Sequence, residues 1–340
     1  MFRFQDAEEG LKKANKYFER FMPVLTPTGV VLGLLLSSFF APMKPLVTWL
    51  FAFLTLVNGM GVSPKDFSSV ICRPKPVLAF LLLSYLILPL LVAMVSYAVF
   101  RGNQEIIIGF VLLYSIPTAV AACIWSGIYS GNGALSLTVL IIGTLLAPIA
   151  TPLTVRVLGG SEIAIDTNGM IISLLWMVVI PSIAGIAINA LTKGKCTQHV
   201  SPCLKPFTKI ALLLVIVINT SQVAGTLLEN ASLKYLQPFA AALVFSVVGF
   251  ILSLLLSMAM NLAEKDTVSV VFASGMRNIS AAMVIAINFF PPESVIPVIS
   301  GIVFQQSAAA ATSHFLFGTK LKNDINKSIE KESAIHEKCQ

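Results

Sequence analysis

The sequence predicts an all-α polytopic membrane protein of ten transmembrane helices, arranged as two inverted five-helix repeats. Three observations carry this prediction. Hydrophobic residues make up 56% of the 340 residues and charged residues only 11%, a balance incompatible with an ordinary soluble globule. The chain also divides into long runs free of Asp, Glu, Lys and Arg, each able to cross about 30 Å of hydrocarbon at about 1.5 Å per residue. The third observation is Arg277, alone near the middle of such a run. A guanidinium at that depth costs at least about 2.5–3.5 kcal/mol, so it must face protein, water or an anion.

The elements follow in order. Residues 1–20 alternate acids, bases and aromatics, which predicts an amphipathic cytoplasmic segment along the inner surface. They hold no apolar run of the signal-peptide type, so no cleaved leader is expected. Charge-free runs then cover 21–43, 45–64, 76–100, 106–155, 167–192, 210–228, 235–263, 267–292 (apart from Arg277) and 294–319. The run 106–155 is too long for one helix and splits at Ser130-Gly131-Asn132-Gly133, a turn signal. Residues 21–160 form the first repeat, 161–319 the second, and 320–340 a charged cytoplasmic tail. Segments on the other side hold only Lys44, Arg101, Arg156 and Lys234, so the positive-inside rule puts both termini in the cytoplasm. The expected location is the plasma membrane of a bacterium.

Other classes find little support. The net charge of +7 comes from residues at the ends of apolar segments, not from a nucleic-acid patch. The five cysteines form no CxxC pair, and Cys196, His199 and Cys203 in one loop fall short of a zinc set. No cofactor or metal is expected. No nucleophile–His–acid set, HExxH or phosphate loop appears, so an enzyme is not expected.

Five helices per half reverse the second half's topology, a frequent transporter design whose binding site lies at matching interrupted helices. Helix 4 carries Ser115-Ile116-Pro117-Thr118 in mid-span, followed by Cys123, Ser126 and Gly127. Its counterpart, helix 9, carries Ala273-Ser274-Gly275-Met276-Arg277-Asn278. Gly275 is expected to let the backbone bend there. Candidate substrate-binding residues are Arg277, Asn278, Thr118, Cys123 and Ser126, with Asn219 in helix 7 and Gln305 in helix 10. Five of them have a structural alternative: Arg277 can tie down broken-helix carbonyls, and Asn278, Asn219 and Gln305 can bond between helices. Cys123 can be a small packing residue. His314 can relay protons or simply reach the interface.

At these residues the chain resembles the bile acid:sodium symporter family. The matching pieces are Gly59-Met60-Gly61-Val62 with Asp66-Phe67, Arg73-Pro74-Lys75-Pro76, Pro89 and Pro117. Gly131-Asn132 with Ala134-Leu135-Ser136, Thr151-Pro152, and Gly275-Met276 with Asn278 complete the set. The resemblance implies a panel (helices 1, 2, 6, 7) and a core (helices 3–5, 8–10), with broken helices 4 and 9 crossing in the core. It implies organic-anion substrates and two sodium ions beside the crossing. By the same resemblance the ion-site positions here are Ser84, Ala122, Cys123, Ser136, Leu140, Ala273, Ser274, Met276 and Arg277. The family's helix 9 glutamate reads Ala273, its glutamine Arg277, its helix 4 Ser-Asn pair Ala122-Cys123, a helix 5 threonine Leu140 and a helix 3 glutamine Ser84. Only Ser136 survives among the side-chain ligands placed.

The expectation is therefore a secondary active transporter of a small organic anion, bile acid- or carboxylate-like, working by alternating access in the lipid bilayer without the standard sodium sites. A sodium-coupled symporter is the alternative mechanism, since sodium as a partner is only doubtful. An arsenite-type efflux permease is the alternative substrate reading, and a transport-dead sensor the alternative class.

Overall fold

The computed structural model describes residues 2–61, 74–160, 166–222, 224–225 and 235–338. The motif residues Val62, Asp66, Phe67 and Arg73 lie outside these, as do Cys72 and Cys339. Among the described residues the chain is helical, and two extended residues, Thr118 and Arg277, form an isolated antiparallel bridge.

Helix α1 is Phe2–Leu35. It runs unbroken across residue 20, where a boundary was expected, because Ala, Glu, Lys and Leu are good helix formers. The short α2, Ser37–Phe40, leads into α3, Leu46–Met60. Next come α4, Pro74–Leu82, and α5, Leu88–Val99, joined by one wide turn at Leu83–Ile87. Pro89 follows that turn and has no N–H to give back to it, which accounts for the local widening. The same device recurs between α9, Thr167–Leu174, and α10, Ile180–Leu191, where Leu175–Val179 precedes Pro181.

Between these pairs lie α6, Gln104–Ser115, α7, Val120–Ile128, and α8, Gly133–Leu158. The turn between α7 and α8 holds Ser130 at φ 57°. Asn132 then caps α8, its Oδ1 accepting from Leu135 N at 3.2 Å. The remaining helices are α11, Ser201–Gln222; α12, Leu236–Ala259; α13, Glu264–Gly275; α14, Ile279–Phe289; and α15, Val295–Lys338. Among the described residues six helical stretches are long and apolar enough to span a membrane, seven if Ser37–Met43 and Leu46–Met60, bent by 68°, count as one; α6 and α14 are shorter apolar helices.

Packing sorts the helices into two groups. Helices α1, α3, α10 and α11 pack mainly on one another, with α2 against α11; α4–α8 with α12–α15 form the second group, and α9, continuous with α10, packs on α8 and α14. Within the first group α3 and α10 meet backbone to backbone. A Cβ on Gly59 would stand 2.5 Å from Ser182 O, and one on Gly185 would crowd the backbone of Leu56 and Met60. Small residues allow such an approach, which suits membrane helices that gain nothing from excluding water.

Because the obstacle is main chain, it cannot rotate away. Gly59→Val should lower stability by about 1–3 kcal/mol, read as a reduced thermal unfolding temperature in detergent. An unchanged temperature would mean that α3 and α10 are free to separate.

Candidate functional site

Two interrupted helices meet at the centre of the larger group. Helix α6 stops at Ser115 and α7 starts at Val120; α13 stops at Gly275 and α14 starts at Ile279. The first break spans 116–119, beginning at Ile116 because proline disfavours helix in the residue before it. Ile116 and Ala119 are extended, so Ala122 and Cys123 are already helical. Gly275 is likewise the last helical residue and not the bend itself. It is glycine because a Cβ there would stand 2.6 Å from the Phe250 ring.

Broken backbone at membrane depth must find partners within the protein, and here each break serves the other. Ala119 N donates to Met276 O at 3.1 Å and Asn278 N to Pro117 O at 2.9 Å. Thr118 Oγ1 also donates to Met276 O, at 3.1 Å. Thr151 Oγ1 donates to Ser115 O at 2.8 Å. From α15, the Gln305 side chain clasps Arg277: Arg277 N donates to Gln305 Oε1 at 3.0 Å, and Gln305 Nε2 donates to Arg277 O at 2.9 Å. Asn278 caps α14, its Oδ1 accepting from Ala281 N at 3.3 Å.

The Arg277 side chain is 1% exposed. Its Nη1 points to Ile116 O at 3.4 Å, a long contact just past the C-terminal end of α6, where the helix dipole favours a cation. Nε and Nη2 have no protein partner. Among the described residues the phenols of Tyr85 and Tyr114 are its electrostatic neighbours; Tyr85 Oη itself donates to Gly143 O at 2.9 Å. Two buried cationic N–H groups without protein acceptors are costly to leave unmade.

A cavity of about 370 Å³ lies between the two helix groups. Arg277, Asn278, Gln305 and Leu140 line it, beside Phe51, Leu54, Ile124, Trp125 and Ile216. The lining includes polar residues that the sequence alone did not single out: Asn58, Thr144, Ser182 and Ser280. Asn58 stands just before the Gly59 motif, so its position carried a signal; the others look like ordinary small polar residues of membrane helices. Trp125 Nε1 donates to Gln306 Oε1 at 3.0 Å across the cavity wall, joining α7 to α15.

The other candidates lie elsewhere. Thr118 serves the break itself. Cys123 is a half-buried free thiol and is not part of the cavity lining. Ser126 belongs to a hydroxyl chain: Ser136 Oγ donates to Ser126 Oγ, which lies 2.9 Å from Ser269 Oγ, and Ser269 Oγ donates to Asn132 O. Asn132 Nδ2 in turn donates to the buried carboxylate of Asp266 at 2.7 Å. Asn219 lines a separate, smaller pocket. His314 is exposed.

Several ion-site positions are absorbed into apolar packing. Ala273 packs with Phe80, Leu83 and Val139. Ala122 and Met276 sit in an aromatic cluster with Phe250 and Phe272. Ser84 and Ser274 are fully buried with unpartnered hydroxyls.

A family model described as the Sodium Bile acid symporter family matches residues 48–230. An uncharacterized Bacillus subtilis protein, YbaS, is 34% identical over 90% of this chain and 100% of its own length. An uncharacterized sodium-dependent transporter of the same organism, YocS, is 24% identical over 89% of this chain and 90% of its own. A probable chloroplastic sodium/metabolite cotransporter of Arabidopsis thaliana, BASS1, is 27% identical over 91% of this chain and 74% of its own. The chain belongs to the sodium bile acid symporter family and is an integral membrane protein.

Gln305 is the hinge of this geometry. Gln305→Leu should strand both backbone groups of Arg277, at about 1–3 kcal/mol for each buried group. Gln305→Glu, which can accept but not donate while ionised, should leave only the carbonyl stranded. Chemical unfolding in detergent orders the three proteins as wild type, Glu, Leu; equal stabilities would show that the clasp contributes nothing.

Proposed function

We propose that this protein is a secondary active transporter of a small organic anion, working by alternating access around the paired helix breaks, and that Arg277 supplies the positive charge bound sodium gives to coupled relatives. The observation that carries this reading is the Arg277 guanidinium, buried at the crossing with two donors unpartnered. An anion at the cavity's inner end would complete them. The N-termini of α7 and α14 start at the same place and add positive partial charge for the same anion.

The architecture belongs to the same proposal. The broken pairs α6–α7 and α13–α14 count as one crossing each, giving ten crossings in two inverted repeats, with α1, α3, α10 and α11 as panel. The termini lie in the cytoplasm of a bacterial cell and the large cavity, which reaches Thr208 and Lys209, opens inward. A fixed guanidinium disfavours a second cation by about 4 kcal/mol at 4 Å with an effective dielectric near 20. The loss of oxygen ligands at Ala273, Ala122, Cys123 and Leu140 acts in the same direction.

The sodium-coupled alternative draws support from YocS, described as a sodium-dependent transporter, and BASS1, described as a probable sodium/metabolite cotransporter. Replacing sodium by choline separates the two readings. Anion affinity should change by less than about two-fold, whereas a ten-fold gain in sodium, a coupling of about 1.4 kcal/mol, would favour the alternative.

Arg277→Ala should weaken equilibrium binding of carboxylates or bile salts by about 1.5–3 kcal/mol, the loss of a charge-assisted hydrogen bond. Arg277→Lys should recover only part, since an ammonium lacks the planar fork. Unchanged affinity and stability in Arg277→Ala would refute the assignment.

A further inference from the structure

The smaller pocket, about 180 Å³, lies at the opposite end of the interface between the two helix groups. Its walls come from the start of α3, the last third of α11 and the end of α14. Lys44, Thr48, Asn219 and Asn288 supply its polar groups, with Val47 and Val284 among its apolar ones; among the described residues no Asp or Glu lines it. Asn219 is 3% exposed, yet its Nδ2 has no hydrogen-bond partner. A buried amide N–H₂ left open costs free energy comparable to a lost hydrogen bond, and such an exception asks for a missing acceptor.

We propose that this pocket is a second anion site, in which the Asn219 amide donates to an anionic oxygen or a halide and the Lys44 ammonium supplies the charge. The space equals about six waters at roughly 30 Å³ each, so it suits a short carboxylate or an inorganic anion and not a sterol. The apolar walls of Val47 and Val284 distinguish the two sources, since they reward a carbon chain that chloride lacks. In a transporter the site would hold anion arriving from the face opposite the large cavity. That role rests on the transport reading, while the binding chemistry does not.

The test is thermal stabilisation of the full-length protein in detergent by choline salts of acetate, butyrate and chloride, titrated into wild type, Asn219→Leu, Lys44→Gln and Arg277→Ala. Butyrate should stabilise wild type and still stabilise Arg277→Ala, with its apparent affinity at least ten-fold weaker in Asn219→Leu and reduced in Lys44→Gln. Asn219→Leu should at the same time be no less stable than wild type without anion, because it removes an unpartnered donor. Stabilisation by chloride, lost in Asn219→Leu, with none by acetate or butyrate would keep the site but assign it to inorganic anions. Stabilisation abolished by Arg277→Ala and untouched by the other two substitutions would overturn this site and leave the Arg277 reading standing. No stabilisation of any variant by any of the three salts would overturn the second site.

Discussion

The centre of this protein is governed by the scarcity of hydrogen-bond partners at membrane depth. Interrupting two helices there exposes N–H and C=O groups that water cannot reach. The chain answers by setting the interruptions against each other, so that Thr118 and Arg277 pair as a minimal antiparallel bridge. Gln305 then closes both backbone groups of Arg277 from a third element. Close packing follows from this arrangement: Gly275 must be bare for Phe250 to lie against it. With the backbone at the break held this way, the side chain of Arg277 is the charge that remains to be answered.

That charge changes the electrostatics of the crossing. A site built for sodium gathers oxygens and a carboxylate around a mobile ion. In the proposed reading the positions that the resemblance assigns to ion ligands hold Ala273 and Ala122, packed among apolar and aromatic side chains, and the cation is covalently fixed. A resident cation keeps the carbonyl end of α6 compensated at all times.

Much of this was legible in the sequence because membranes constrain it tightly. Charge-free runs located the helices, and the Ser130–Gly133 turn located the division of the longest one. The isolated Arg277, beside a glycine and opposite a matched proline break, pointed to the crossing. Boundaries were less legible. Proline acts on the residue before it, so the first break lies ahead of where polar residues drew attention, and α1 and α15 continue through charge steps that helices tolerate. Partners separated widely in sequence were invisible: nothing local says that Gln305 would clasp Arg277 rather than face solute, or that Ser126 and Ser136 would join Ser269. The cavity lining of Thr144, Ser182 and Ser280 was missed for the same reason, since single small polar residues are common in membrane helices and only the fold brings them to one surface.

The replacement of sodium by Arg277 is tested most directly by sodium-linked stability. Thermal unfolding of wild type should be the same in sodium chloride and choline chloride at equal ionic strength. The double variant Arg277→Gln with Ala273→Glu, which removes the fixed cation and supplies a carboxylate, should gain stability with sodium concentration as mass action requires. A sodium-dependent rise in the wild-type unfolding temperature, saturating as a binding isotherm, would contradict the account and show that the crossing still holds sodium beside Arg277.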